Sequence, residues 1–262
     1  MRVNRDQFLF VSFTFRVRML KLLRQWVDPV GMLAAMANSN AFISGSALLL
    51  LLSDADFEPG DLDIYVSKEQ AHVVLDFVAA QGYTQESRHP ANQTEYGSSF
   101  LEDIYFYTRH SSPSPKQVNI ITTWTQNPAM AIFDFDSTLV MNALSARYLM
   151  CFYPGMTLSK TGVITRQAVD QGRLAKYQAR GFKLNQFPLT KEDHNLISSM
   201  RFGDDFKSLI IEHDVWGHHR EVDDGVEDIM WMPRDVYEHS RREFIMYGRN
   251  GEGRYKGRIL RH

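Results

Sequence analysis

The sequence predicts an α+β protein: a mixed sheet flanked by helices, followed by a mainly helical C-terminal region. Three observations lead there. Short apolar runs of strand character (Ala41 to Ser44, Leu62 to Val66, Val118 to Ile121) alternate with segments of helical periodicity. A chain of 262 residues with 44% apolar and 12% aromatic content can fill a core of its own. The segment Asp61-Leu62-Asp63-Ile64 alternates acid and apolar residues, the signature of a strand with one buried face.

In chain order, residues 7 to 27 carry Met19, Leu20, Leu23, Trp26 and Val27 at helical spacing, interleaved with Arg16, Arg18, Lys21 and Arg24. This is a helix that docks its apolar stripe and leaves its bases in water. Asp28-Pro29 starts a second helix to about Asn38, with proline in its first turn. A strand (Ala41 to Ser44), a Gly45-Ser46 turn, a helix (Ala47 to Leu52) and the strand Leu62 to Val66 follow. Ser67 is placed to cap an amphipathic helix closed by Gly82. Residues 83 to 103 are polar and irregular. Strands are then expected in DIYFYTRH and KQVNIITTW, joined by the turn SSPSP. The expected organisation is a core over residues 1–152, a helical or irregular region over 153–240, and a basic tail over 241–262.

The chemistry gathers around two short motifs. Alternation puts Asp61 and Asp63 on the same side of their strand, ~7 Å apart. Two carboxylates on one face repel each other, and hard oxygen ligands at that spacing suit Mg²⁺ or Mn²⁺. The Gly45-Ser46 turn, opening a helix, offers backbone N–H groups and a hydroxyl to an anion. A phosphate site beside a divalent-cation site equips a protein for phosphoryl or nucleotidyl transfer.

Ile43, Gly45 and Ser46, followed by Asp61, Leu62, Asp63 and Ile64, resemble the signature of the nucleotidyltransferase superfamily with the DNA-polymerase-β-like fold. The spacer between Ser46 and Asp61 is fourteen residues, longer than that pattern usually has. The wider order GS, DLDIYV, VNII, FDFDSTLVMN, YP and KYQARGF, over residues 20 to 187, is similar to fungal nucleotidyltransferase-like proteins with no assigned substrate. Asp136, Ser137, Thr138, Val140, Asn142, Ala143 and Leu144 loosely resemble a run in tRNA-CCA-adding enzymes. The resemblance implies that Asp61 and Asp63 hold Mg²⁺ or Mn²⁺ and that Gly45 and Ser46 bind phosphates. It also implies a third acidic position on the strand Val118-Asn119-Ile120. Here that position is Asn119, whose amide carries no charge and cannot act as a general base. Catalysis is therefore affected more than nucleotide binding.

A second motif competes. FDFDSTLV fits the first motif of haloacid-dehalogenase-like phosphatases, with Asp134 as nucleophile and Asp136 as general acid and base around Mg²⁺. Lys183 or Lys191 would then bind phosphate, and Asp204-Asp205 would complete the metal site. That fold needs an apolar parallel strand leading to Asp134, whereas Asn127-Pro128 marks the start of a helix nearby.

The C-terminal third is less informative. Lys176, Arg180 and Lys183 form a basic face that suits water or a polyphosphate. Thr190-Lys191-Glu192-Asp193 starts a helix. Glu212, His213, Asp214, His218 and His219 invite a zinc reading, but their spacing matches no common zinc pattern. Glu221, Asp223, Asp224, Glu227 and Asp228 make an acidic run of solvated type. The end of the chain, rich in arginine and glycine, reads as a flexible basic tail able to contact a polyanion.

A net charge of −2 gives no overall attraction to nucleic acid or membrane. The apolar patch Phe8 to Phe15 is too short to span a bilayer. Cys151, the single cysteine, excludes an internal disulfide, and an intracellular place, cytoplasmic or nuclear, is expected. The functional expectation is transfer of a nucleoside monophosphate from an NTP to an acceptor hydroxyl on RNA, a small molecule or a protein, releasing pyrophosphate. The alternatives are a catalytically degenerate binding protein of the same fold and the phosphatase centred on Asp134 and Asp136.

Overall fold

The computed structural model describes residues 5–53, 55–93, 100–110, 114–165, 171–186, 201–202, 208–213, 230–231, 244–246 and 255–257. Helix α1 (Arg5–Leu23) buries Phe15, Met19, Leu22 and Leu23, with Trp26 just beyond it, on the stripe expected for docking. Its interleaved bases also tie it down: Arg16 donates to the His213 carbonyl (2.8 Å) and Arg18 to the Leu50 carbonyl (3.1 Å). Helix α2 (Pro29–Ser39) starts where Asp28 accepts from the Gly31 N–H at 2.7 Å and ends at Asn40 in the left-handed region.

Strand β1 (Phe42–Ser44), helix α3 (Ser46–Leu52) and strand β2 (Asp61–Ser67) form within about a residue of their expected bounds. Leu62, Ile64 and Val66 are fully buried on one face of β2, each contributing roughly 1.5–3 kcal/mol by leaving water. Ser67 caps nothing with its side chain, because a 3₁₀ turn (Lys68–Gln70) intervenes before α4 (Ala71–Ala80).

Residues 83–103, expected to be irregular, contain strand β3 (Thr84–Pro90). Its side chains are nearly all exposed, so no apolar alternation announces it; pairing with β4 (Leu101–Arg109) orders it. Strand β5 (Lys116–Thr123) then runs parallel to β2. After a seven-residue 3₁₀ helix (Pro128–Asp134), in which Asn127 accepts from the Ala129 N–H, come β6 (Asn142–Leu144) and β7 (Tyr148–Cys151).

Beyond residue 153 the described elements are α5 (Pro154–Leu158), β8 (Thr161–Val163), α6 (Gln171–Ala179), β9 (Lys183–Asn185), β10 (Arg201–Phe202), β11 (Leu209–Glu212), β12 (Met230–Trp231), β13 (Phe244–Met246) and β14 (Tyr255–Gly257). In the described part of the region expected to be mainly helical, over residues 153–240, two helices and five short strands therefore share the chain about equally. Runs of two to four residues are too brief to show a period, and each exists through its ladder partner. Of the expected tail, β13 and β14 pair antiparallel, and the other residues lie outside the described set. The helix expected at Thr190 and the acidic run from Glu221 also lie outside it.

One mixed sheet of eight strands, in the order β11-β7-β6-β1-β2-β5-β4-β3, organises the molecule. All neighbours are antiparallel except β2 and β5. The boundary expected after residue 152 is crossed by this sheet, since β11 pairs with β7 through Leu209↔Cys151. Cys151 is buried, which pushes its thiol up to about 11 and leaves it unreactive at neutral pH. A smaller apolar cluster of Leu49, Leu139, Val140, Tyr177 and Phe182 holds α6 against α3. No helix among the described residues is long and apolar enough to cross a membrane.

Candidate functional site

The site begins with the register of three strands. Ser44 on β1 lies opposite Asp63 on β2, and Asp63 lies opposite Asn119 on β5. Asp61, Asp63 and Tyr65 share one face of β2 by alternation. Phe135, at the end of the 3₁₀ helix, packs over that face with its ring 5.7 Å from Tyr65. Helix α6 supplies the opposite wall. A cavity of about 280 Å³ results, lined among others by Gly45, Ser46, Asp61, Asp63, Asp136 and Lys176.

Gly45 precedes α3 with φ +80°, a conformation that side chains with a Cβ rarely adopt. A Cβ at Gly45 would stand 2.5 Å from Oδ2 of Asp63, so a side chain at this position would collide with the carboxylate. The Ser46 hydroxyl is buried and finds no hydrogen-bond partner. A buried hydroxyl without a partner costs about 1–3 kcal/mol, a cost that a ligand oxygen in the cavity would remove.

Asn119 is almost fully buried and donates from Nδ2 to Oδ1 of Asp63 at 2.8 Å, with Oδ2 of Asp61 at 3.4 Å. Its own Oδ1 accepts from Nε2 of Gln117 at 2.9 Å. The expected trio of Asp61, Asp63 and Asn119 is thus assembled, with the amide serving as donor to the acids. Asp61 and Asp63 are the residues that could hold a divalent cation, and both line the cavity. Among the described residues there is no cluster of three or more His, Cys, Asp or Glu of metal-binding type. The donor set therefore fits a cation that completes its shell with ligand or water oxygens.

Lys176 lines the cavity from α6 and remains exposed. Arg173 lines it as well, forming an ion pair with Asp136 that joins α6 to the segment after the 3₁₀ helix. The sequence reading singled out Lys176, Arg180 and Lys183 but missed Arg173. Its place three residues before Lys176, on the same helix face, was the available signal. Arg180 instead stacks its guanidinium on the Phe57 ring at 4.3 Å, and burial lowers its pKa. Lys183 lies on β9 and does not line the cavity.

Tyr65 and Tyr177 also face the cavity and were not anticipated. Burial raises both phenol pKa values well above the ordinary range, and the charge of Asp63 raises them further. Both stay neutral hydroxyls at physiological pH, able to donate a hydrogen bond.

Asp134 and Asp136 belong to this same cavity. The apolar strand that a phosphatase site requires before Asp134 is a 3₁₀ helix, and Asp136 is engaged by Arg173. Asn127-Pro128 explains the difference: proline in the first turn starts a helical segment. Lys191, Asp204 and Asp205 lie outside the described residues. The zinc reading loses its anchors too. His213 is completely buried, with Nε2 donating to the Ser145 carbonyl at 3.1 Å and its ring 6.1 Å from Phe15. Glu212 pairs with Arg147 at 2.9 Å, while Asp214, His218 and His219 lie outside the described residues.

No protein-family model and no curated protein matches the sequence. The chain is similar to a solved structure of a tRNA-processing enzyme in an apo form, with 14% identity and a TM-score of 0.38. The match covers 76% of this chain and 47% of that one, so this chain spans about half the length of that structure. A likeness this distant fixes neither a fold family nor an activity. The α+β class, with a large mixed sheet flanked by helices, stands on the strand order and helices described above.

Proposed function

We propose that the chain is a nucleotidyltransferase-like protein whose cavity binds a nucleoside triphosphate with Mg²⁺ or Mn²⁺ at Asp61 and Asp63. The observation that supports this most directly is the contact of the Gly45-Ser46 turn with Asp63. It brings a partnerless hydroxyl to the place where phosphates bridged to an acidic pair would lie. Lys176 and Arg173 add positive charge on the facing wall. The cation supplies charge neutralisation across the phosphates. The protein positions: Gly45 and Ser46 hold the terminal phosphates, the two aspartates orient the α-phosphate, and the neutral Tyr65 and Tyr177 hydroxyls donate hydrogen bonds. In the transfer, the acceptor oxygen bonds to the α-phosphorus as its bond to pyrophosphate breaks, and the acceptor proton passes to a carboxylate of the pair. Acceptors of the hydroxyl class, on RNA, a small molecule or a protein, fit equally well.

One observation favours a second reading, binding without chemistry. Asn119 occupies the position where the resemblance places a third acid, and its donor side faces the two aspartates. An amide cannot remove a proton.

Thermal unfolding with each NTP plus Mg²⁺ or Mn²⁺, beside the Asp61→Ala/Asp63→Ala double variant, tests the site. Ligand at a hundredfold excess over Kd stabilises the native state by about 2.7 kcal/mol. A metal-dependent shift in the wild type that the double variant lacks is expected. An equal shift in both, or none with any nucleotide, would overturn the nucleotide site. Pyrophosphate release in the presence of acceptors then separates transfer from binding alone.

A further inference from the structure

The hydrogen bonds around Asn119 point beyond the proposed chemistry, resting on Asp61 and Asp63 being a cation site. Asn119 is 1% exposed and sits in register with Asp63 on the neighbouring parallel strand. Carboxylate oxygens only accept, so the amide must turn its NH₂ edge toward them. Its Oδ1 then faces away and receives the N–H of Gln117, two residues earlier on the same strand and the same face. Two amides therefore act in series: Gln117 donates to Asn119, and Asn119 donates to the acidic pair.

We propose that Gln117 is a positioning residue that locks Asn119 with its donor edge on Asp61 and Asp63. In this state Asn119 competes with a divalent cation for the carboxylate oxygens instead of serving as its ligand. Asn119 presents its oxygen to a cation only after a half-turn of the amide. That turn breaks its bond to Asp63 and, with the Gln117 amide as it stands, sets its NH₂ group against the NH₂ group of Gln117. The lock makes the site a weak binder of bare cations. It favours a cation that arrives with phosphate oxygens, because those oxygens supply the ligands that Asn119 withholds.

The test is direct Mn²⁺ binding to the full chain without nucleotide, followed by electron paramagnetic resonance and calorimetry. Gln117→Met keeps length and charge but removes the donor, and Gln117→Leu provides a second neutral variant. Both are expected to bind Mn²⁺ up to about tenfold tighter than the wild type, the worth of removing one hydrogen bond between neutral amides. Asn119→Asp is expected to bind tighter still, and Asp63→Asn to lose binding. General damage to the strand would weaken binding, so a gain reports the lock. Unchanged or weaker Mn²⁺ binding in both Gln117 variants, with tight binding in Asn119→Asp, overturns the lock and leaves the cation site standing. No Mn²⁺ binding in any variant overturns the lock and the cation site together.

Discussion

Gly45 is the position where backbone conformation and charge meet. Alanine there would have to hold φ near +80° and place its Cβ 2.5 Å from an Asp63 oxygen. The conformational strain alone costs about 1–2 kcal/mol, and the carboxylate would be pushed out of line with Asn119. Gly45→Ala is therefore expected to lower the melting temperature and to abolish the nucleotide-dependent shift. Retention of the full shift in this variant would remove the turn from the site. Ser46 behaves differently, because its hydroxyl is already buried without a partner. Gln117 and Asn119 complete the residue-level picture as a chain of donors ending on two acids.

Helix α6 is held by a small apolar cluster and by the Arg173–Asp136 ion pair. Tyr177 and Phe182 meet edge to face at 6.3 Å, and Phe182 packs on Phe57 at 6.1 Å. The Arg173–Asp136 pair is only partly exposed, so it is screened less than a surface pair. Asp136→Asn removes its charge while keeping its shape, and a loss of roughly 1–3 kcal/mol in the docking of α6 is expected. Hydrogen exchange over residues 171–179 should then quicken while exchange in β2 and β5 stays as it was. Uniform change across the sheet would show that the pair stabilises the whole fold rather than the wall of the cavity. Other elements owe even more to their neighbours. Strand β3 has no apolar face of its own, and β4 organises it through a ladder interrupted by a bulge between Gln85 and Ser87.

The eight-stranded sheet joins the first part of the chain to residues past 208. A chain ended at residue 152 would lose β11, α6 and the Tyr177 and Phe182 side of the second apolar cluster. It would expose the edge of β7 and uncover Leu139 and Val140. Lower melting and self-association are expected, read by calorimetry and by size-exclusion chromatography. A monomeric truncated chain with unchanged melting would show instead that residues 1–152 form an independent unit. The cavity makes the same point for function, since its lining runs from Gly45 to Leu184.

Much of the candidate site was legible in the order of residues. The two acids of β2 share a face because strand side chains repeat every two residues, and the Gly-Ser turn announces itself by composition. Such periodicities are local, so they survive without knowledge of the fold. The amphipathic helices were legible for the same reason. Register was not, because the meeting of Asn119 with Asp63 depends on two strands separated by more than fifty residues of chain. Nor were Arg173, Tyr65 and Tyr177 legible as cavity residues, since the docking of α6 and the 3₁₀ helix brings them together. Strands of three or four residues, as in β6, β7 and β11, carry too little pattern to be seen before their partners are known. The motifs lay in the sequence; their assembly into one cavity came from long-range pairing and packing, which no local period encodes.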